Sequence, residues 1–316
     1  MDPTHLHLLL NHVPTVGFGI GIALFALSLG TRSHHLKQAS LVVFVIVALM
    51  SIPTYATGNA AQNLLQERGE VSDGTTEAMV TLTLIETHEG AAFLALGLME
   101  LTGALSWLAL WQLRRRANIS TGMSGGILLL SLVTMALMAN AANIGGMINH
   151  PEIRGAEEVT TFAGHLGRTV GDYVRDTPWT WIAAETLHFV GLSMLVGVIL
   201  LIDLRMLGFM PQLPFKALDR LLPWAMLGFA LNVFTGMLFF AAAFGQYTNN
   251  PAFFWKLVFV LLAGFNTLYF TFDDTWAMEP GRDAPALSKA AAVGAMFFWV
   301  GVMYWGSMLP FIGNAF

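Results

Sequence analysis

The sequence predicts an all-α, polytopic integral membrane protein with about eight transmembrane helices arranged as two four-helix bundles. Two observations support this prediction. Of 316 residues, 55% are apolar and only 11% are charged, the mean hydropathy is +0.63, and soluble domains usually carry about 25% charged residues. Apolar runs of about 20 residues recur along the chain, each long enough to cross a bilayer as a helix. A helix is required there because lipid offers no partner to a free backbone N–H or C=O.

The apolar runs divide the chain into two halves. They cover residues 13–30, 41–57, 91–113, 125–147, 179–201, 221–243, 253–272 and 290–312. We therefore expect an N-terminal membrane domain over 1–150, an outer connecting loop over 151–178 and a C-terminal membrane domain over 179–316. The loop is expected to be ordered and to hold a short helix. The apolar residues 79–85 predict that the third helix extends beyond its span or that they lie in the interface.

Basic residues are distributed unevenly between the two sides of the predicted array. Ten lie in loops on one side, including the arginine run 114–116, and the other side has five: Arg68, Arg154, Arg168, Arg175 and Lys256. The positive-inside rule makes the richer side cytoplasmic. We therefore expect a multi-pass protein of the bacterial inner membrane, with the lipid bilayer as its surroundings and both termini on the periplasmic side.

Composition also excludes several classes of function. The net charge is −5 and the sequence has no basic stretch suited to a nucleic-acid groove, so no nucleic-acid partner is expected. There is no cysteine, which excludes disulfides, iron–sulfur clusters, thiolate metal sites and haem attached through CxxCH.

Histidines are the main candidate ligands. His12, His88 and His150 lie near the ends of three predicted spans on the periplasmic side, where a four-helix bundle can bring helix ends within one cofactor's width. Neutral imidazole at such a position can bind haem iron axially, or copper or zinc. We expect haem b with His12 and His88 as its axial pair and His150 in reserve. The pair His5 and His7 favours copper or zinc instead.

A second group of polar residues lies inside the predicted spans. His188 follows Trp179 by nine residues, which places it about 14 Å below the outer interface, and an ionisable residue at that depth is a functional candidate. Glu185 lies one turn away and can hydrogen-bond it. Glu100 can protonate a quinone head group or form part of a proton path. The alternative for each is a buried polar side chain that only hydrogen-bonds across helices.

Two segments carry a resemblance to known families. The stretch HFVGLSMLVGVILLIDLRMLG, from His188 to Gly208, resembles the histidine-bearing helix of small bacterial membrane proteins related to the copper-resistance D and cytochrome b561-like group. The opening LHLLLNHVP, residues 6–14, is similar to the first helix of four-helix membrane families suspected of binding haem. The resemblance implies b-type haem or copper held by His12, His88 and His188. Unlike the two-haem cytochromes, this chain lacks four histidines at paired depths.

Three functions stay open at this point. The first is a membrane electron-transfer subunit in which b-type haem passes electrons between a periplasmic partner and quinone or another haem. The second is a copper- or zinc-binding membrane protein that uses the periplasmic-side histidines. The third is a cofactor-free accessory subunit of a larger membrane complex.

Overall fold

The computed structural model describes residues 3–67, 76–116, 118–149, 154, 161–279 and 281–312. All regular secondary structure in these ranges is helical, which confirms the all-α prediction. The helices are α1 (Pro3–Leu10), α2 (His12–Thr31), α3 (His34–Glu67), α4 (Thr76–Arg116), α5 (Thr121–Asn149), α6 (Phe162–Asp176), α7 (Pro178–Met206), α8 (Phe215–Asp219), α9 (Leu222–Ala242), α10 (Phe244–Thr248), α11 (Pro251–Phe272) and α12 (Ala286–Ser307), with a 3₁₀ helix at Asp274–Ala277.

The predicted number of long apolar helices is confirmed within the described ranges. Eight segments are long and apolar enough to cross a membrane: His5–Thr31, His34–Leu64, Ala78–Arg116, Thr121–Ile148, Pro178–Met206, Phe215–Ala242, Pro251–Ala277 and Ala286–Ser307. The third of these helices begins at Thr76, so the apolar residues 79–85 do continue it. The short helix predicted for the connecting loop is α6.

The helix array has two ends, which we name after the short helices found there. Because successive long helices run in opposite directions, α1, α6 and α10 lie at one end, the α6 end. The helix α8 and the 3₁₀ helix contact each other at the opposite end, the α8 end.

Glycines allow α6 to lie directly against α4. A Cβ on Gly164 would lie 2.6 Å from the carbonyl oxygen of Thr87, and a Cβ on Gly167 would overlap the backbone of Gly90. No side chain fits between these backbones, so the close approach requires glycine. The ion pair between Arg168 and Glu86, 2.6 Å long, also joins the two helices.

At the α8 end, Arg115 of α4 joins the two halves of the chain. Its Nε donates to both carboxylate oxygens of Asp219, at 2.9 and 3.0 Å, and its Nη1 donates to the carbonyl oxygen of Thr271 at 3.0 Å. The indole of Trp111 donates to the same carboxylate at 3.1 Å. Arg115 therefore connects α4 to α8 and α11.

The largest apolar core also draws on both halves of the chain. It contains Phe25, Phe44 and Leu110 together with Ile202 and Phe270, each of which is fully buried. The expected arrangement as two four-helix bundles is therefore not confirmed, and the domain boundary at 151–178 stays a prediction.

Candidate functional site

Two histidines at the α6 end are held by the same kind of hydrogen bond. His7 of α1 has its Nδ1 3.0 Å from the carbonyl oxygen of Thr54 on α3. His88 of α4 has its Nδ1 2.8 Å from the carbonyl oxygen of Ala141 on α5. Because a carbonyl oxygen only accepts, Nδ1 carries the proton in both rings and the Nε2 lone pair is left available.

Each of these rings also lies over a glycine of the neighbouring helix. A Cβ on Gly58 would be 2.9 Å from Cε1 of His7, and a Cβ on Gly145 would be 3.0 Å from Cε1 of His88. In both cases the glycine comes four residues after the carbonyl that accepts from Nδ1. The two imidazoles thus occupy equivalent settings, each one fixed by a backbone carbonyl and a gap left by a missing side chain.

The two histidines belong to one polar region. They lie within electrostatic range of each other. The carboxylate of Glu89, next in sequence to His88, hydrogen-bonds Gln62 of α3 and lies near Arg168 of α6. Polar groups from α3, α4 and α6 therefore lie around Glu89, beside His88 in the sequence, at the α6 end of the array.

The other predicted ligands at this end are placed differently. His12 is exposed, and its Nδ1 is 3.3 Å from the carbonyl oxygen of Leu8, in the preceding helix. His5 is also exposed, and His150 lies outside the described residues. The structure thus brings His88 together with His7, whereas the expected pairing of His88 with His12 stays a prediction.

A second feature is a cavity of about 1010 Å³ bounded mainly by α3, α7, α9, α11 and α12. Most of its wall is apolar and aromatic, and includes Trp181, Phe229, Phe239, Phe240 and Trp299. Two charged side chains line it, Glu185 of α7 and Lys256 of α11. His188, which the sequence singled out, lines the same cavity.

The tautomer of His188 follows from its contact with α9. Its Nδ1 is 2.8 Å from the hydroxyl oxygen of Thr235, and that hydroxyl donates its proton to the carbonyl oxygen of Leu231 at 2.7 Å. Thr235 must therefore accept from Nδ1, which leaves Nε2 as an acceptor. The expected hydrogen-bond partner, Glu185, makes no hydrogen bond with His188 in the described structure.

Glu185 and Lys256 line the cavity from two helices, α7 and α11. Burial and the nearby carboxylate of Glu185 raise the pKa of Tyr247, which follows α9, to about 12. Lys256 passes Gly306 of α12, with its Nζ 3.8 Å from where a Cβ of that glycine would be, and lies near His188. Among the described residues no carboxylate forms a salt bridge with Lys256.

Sequence reasoning missed two buried charged groups. By its place in the sequence Lys256 is counted with the basic residues of the outer side, although it falls within the apolar run 253–272. In the structure it lies inside α11, which starts at the signal Asn250-Pro251, where Asn250 accepts from the N–H of Ala252 at 2.9 Å. Asp203 of α7 is fully buried and neither carboxylate oxygen has a hydrogen-bond partner. Glu100, which was singled out, accepts a hydrogen bond from Ser51 at 3.0 Å.

Comparison of the chain with protein-family models, with curated proteins and with solved structures finds no match. Within the residues that the structure describes, no group of three or more His, Cys, Asp or Glu side chains is arranged to hold a metal ion. The histidine pair and the cavity are therefore the two candidate sites of the described structure.

Proposed function

We propose that the chain is a multi-pass electron-transfer subunit of the bacterial inner membrane that binds a b-type haem through His7 and His88. The observation that carries this proposal is the matched setting of the two rings. Histidines that ligate metals nearly always donate their second ring N–H to a carbonyl, a carboxylate or water. Both rings do so, to Thr54 and Ala141, and each retains an Nε2 lone pair for iron.

The donor set suits haem because two imidazoles complete its coordination. The porphyrin supplies four nitrogens, so the protein contributes only the axial ligands. When bound, the haem would supply one-electron chemistry. The chain's own part is to fix both tautomers through the backbone carbonyls of Thr54 and Ala141.

Membrane insertion is supported by the side chains that the eight apolar helices leave uncovered. Large apolar residues are exposed on most of them, among them Val16, Leu129, Ile182, Leu227, Phe254 and Phe297. Contiguous apolar surface of this kind is costly in water and favourable in lipid. The arginine run 114–116 ends α4 at the α8 end, so we assign that end to the cytoplasm and the α6 end to the periplasm.

The test is an absorbance spectrum of the purified protein in detergent, with and without dithionite. We expect a low-spin haem b spectrum in the wild-type protein. His7→Ala and His88→Ala should abolish or shift it, because each removes an axial ligand, while His34→Ala, at an exposed position at the α8 end, should leave it unchanged.

The same experiment distinguishes the alternatives. Loss of the spectrum in His12→Ala but not in His7→Ala would show that His12, and not His7, is the axial ligand. Absence of haem together with bound copper or zinc would favour a metal-binding protein. Absence of both, with co-purification of one stoichiometric complex, would favour an accessory subunit.

A further inference from the structure

The charges that line the cavity cancel. Glu185 contributes one negative charge and Lys256 one positive charge, and the rest of the lining is uncharged apart from the titratable ring of His188. An anionic head group would be attracted by Lys256 but repelled by Glu185. A neutral head group can instead accept a hydrogen bond from Lys256 and donate one to another polar group of the lining.

The lining offers a hydrogen-bond donor and an acceptor close to each other, Lys256 and His188. The ammonium of Lys256 has no carboxylate partner among the described residues and can donate to a carbonyl oxygen in the cavity. The ring proton of His188 is on Nδ1 and is donated to Thr235. Its Nε2 can therefore accept a hydrogen bond from a hydroxyl group. A quinone carbonyl and a quinol hydroxyl are groups of these two kinds.

The size and walls of the cavity suit a planar ring that carries an apolar tail. Its volume of about 1010 Å³ is near the top of the range usual for small-molecule sites. Aromatic side chains such as Phe239 and Trp299 line it, and offset stacking on such rings favours a flat head group. Phe189, Val300 and Tyr304 also line it and are each more than half exposed, so the cavity opens on the apolar surface of the array.

We infer that this cavity is a binding site for a lipid-soluble quinone or quinol, with its head group between Lys256 and His188. The inference deepens the proposed function, on which it rests for the role of the quinone as an electron-transfer partner. Helix α3 links the two sites, because Tyr55 and Ala56 line the cavity while Thr54 and Gly58 contact His7. The sites therefore lie on either side of one helix, whose diameter is about 10–12 Å.

Gly236 of α9 allows a direct test. It lines the cavity, and a Cβ added there would meet no heavy atom within 4 Å. Gly236→Leu should therefore fill ligand space without disturbing the protein. Gly197→Leu is the matched control, since Gly197 is an exposed helical glycine with nothing within 4 Å and does not line the cavity.

Binding is measured by titrating a short-tailed benzoquinone into the purified full-length protein and recording quenching of tryptophan fluorescence. We expect saturable binding by the wild-type protein and by Gly197→Leu, and its loss in Gly236→Leu. Lys256→Met should raise the Kd by about tenfold or more, because it removes a charge-assisted hydrogen bond. Gel filtration and thermal melting verify that the variants are folded.

Several outcomes would overturn the inference. These are wild-type protein that shows only unsaturable partitioning, folded Gly236→Leu protein that binds as tightly as Gly197→Leu, or tighter binding of oleate than of the quinone, which would assign the cavity to an anionic lipid. The readout does not require haem. Quinone binding without haem would contradict only the proposed function, and haem without quinone binding would contradict only this inference.

Discussion

Gly90 of α4 and Gly167 of α6 lie backbone against backbone, so close that a Cβ on either one would overlap the other segment. The contact fixes α6 across the outer part of α4, one turn from the ion pair between Arg168 and Glu86 and next to Glu89. Through this glycine contact, α6 of the connecting segment becomes part of the polar region around Glu86 and Glu89.

Gly167→Ala should therefore destabilise the fold even though it adds only a methyl group. The methyl has no space, so the backbones must separate, at a cost of about 1–3 kcal/mol typical of overpacking. Thermal unfolding in detergent measures the effect. Gly126→Ala on α5, where nothing lies within 4 Å of the added Cβ, should be neutral or stabilising, and equal melting temperatures for the two variants would contradict the argument.

The pair of Arg115 and Asp219 provides a second prediction. Its side chains are only 17% and 11% exposed, so Asp219→Asn leaves the arginine buried without its counter-charge. We expect a loss of about 3–5 kcal/mol, as found when one member of a buried pair is removed. Asp274→Asn is the control, because Asp274 pairs with Arg114 but its side chain is 95% exposed. Chemical denaturation of the two variants should differ strongly, and a similar small loss in both would show that the buried pair does not hold α8.

Acid should weaken the contact between Asp283 and Lys289. The hydrogen bond from Lys289 holds the pKa of the Asp283 carboxyl below its usual value. Because the folded pKa is below the unfolded one, about 3.9, the stabilisation is present above the unfolded pKa and is lost as pH falls through the folded pKa. The difference in melting temperature between wild-type and Asp283→Asn protein should thus be small at neutral pH and vanish once the pH falls below the folded pKa of Asp283. A difference that persists in acid, or that Lys289→Met does not remove, would contradict the linkage.

The long helices could be predicted from the sequence because hydropathy alone determines them. Their extents were less predictable. The helix α4 begins well before its apolar run, at Thr76, because Glu86 pairs with Arg168 of α6 and Glu89 hydrogen-bonds Gln62 of α3 instead of lying in lipid. The tally of basic residues assigns Lys256 to the outer side, although the apolar run 253–272 and the Asn-Pro start of α11 both place it inside a helix.

The candidate site was predicted in part. His88 and His188 stand out because a histidine near or inside an apolar run is unusual, and both have a specific hydrogen bond to a neighbouring helix. The sequence pattern favours His12 over His7, because His12 lies where the first apolar run begins. The contact of His7 with Thr54 and Gly58 depends on how α1 packs on α3, and this tertiary contact leaves no local signal in the sequence.

Thr235→Val tests the tautomer of His188. Valine has nearly the shape of threonine but cannot accept from Nδ1, so a ring N–H is left without a partner, at a cost of about 1–3 kcal/mol. Nitrogen-15 chemical shifts of labelled histidine should show an unprotonated Nε2 for His188 in wild-type protein and in Thr235→Ser, which retains the hydroxyl. The variant Thr235→Val should show a mixture of tautomers. A protonated Nε2 in the wild-type protein would contradict the assignment and remove the acceptor from the cavity.

The last prediction uses steric displacement to test the histidine pair without removing a ligand. A Cβ at Gly145 would already lie 3.0 Å from Cε1 of His88, so Gly145→Val must push the imidazole off the α5 backbone and break its hydrogen bond to Ala141. We expect loss or a marked shift of the low-spin haem spectrum, although both histidines are retained. Gly126→Val, on the same helix with open space around its Cβ, should keep the spectrum and controls for a β-branched residue in α5. If Gly145→Val protein is folded and has the wild-type spectrum, His88 is not an axial ligand.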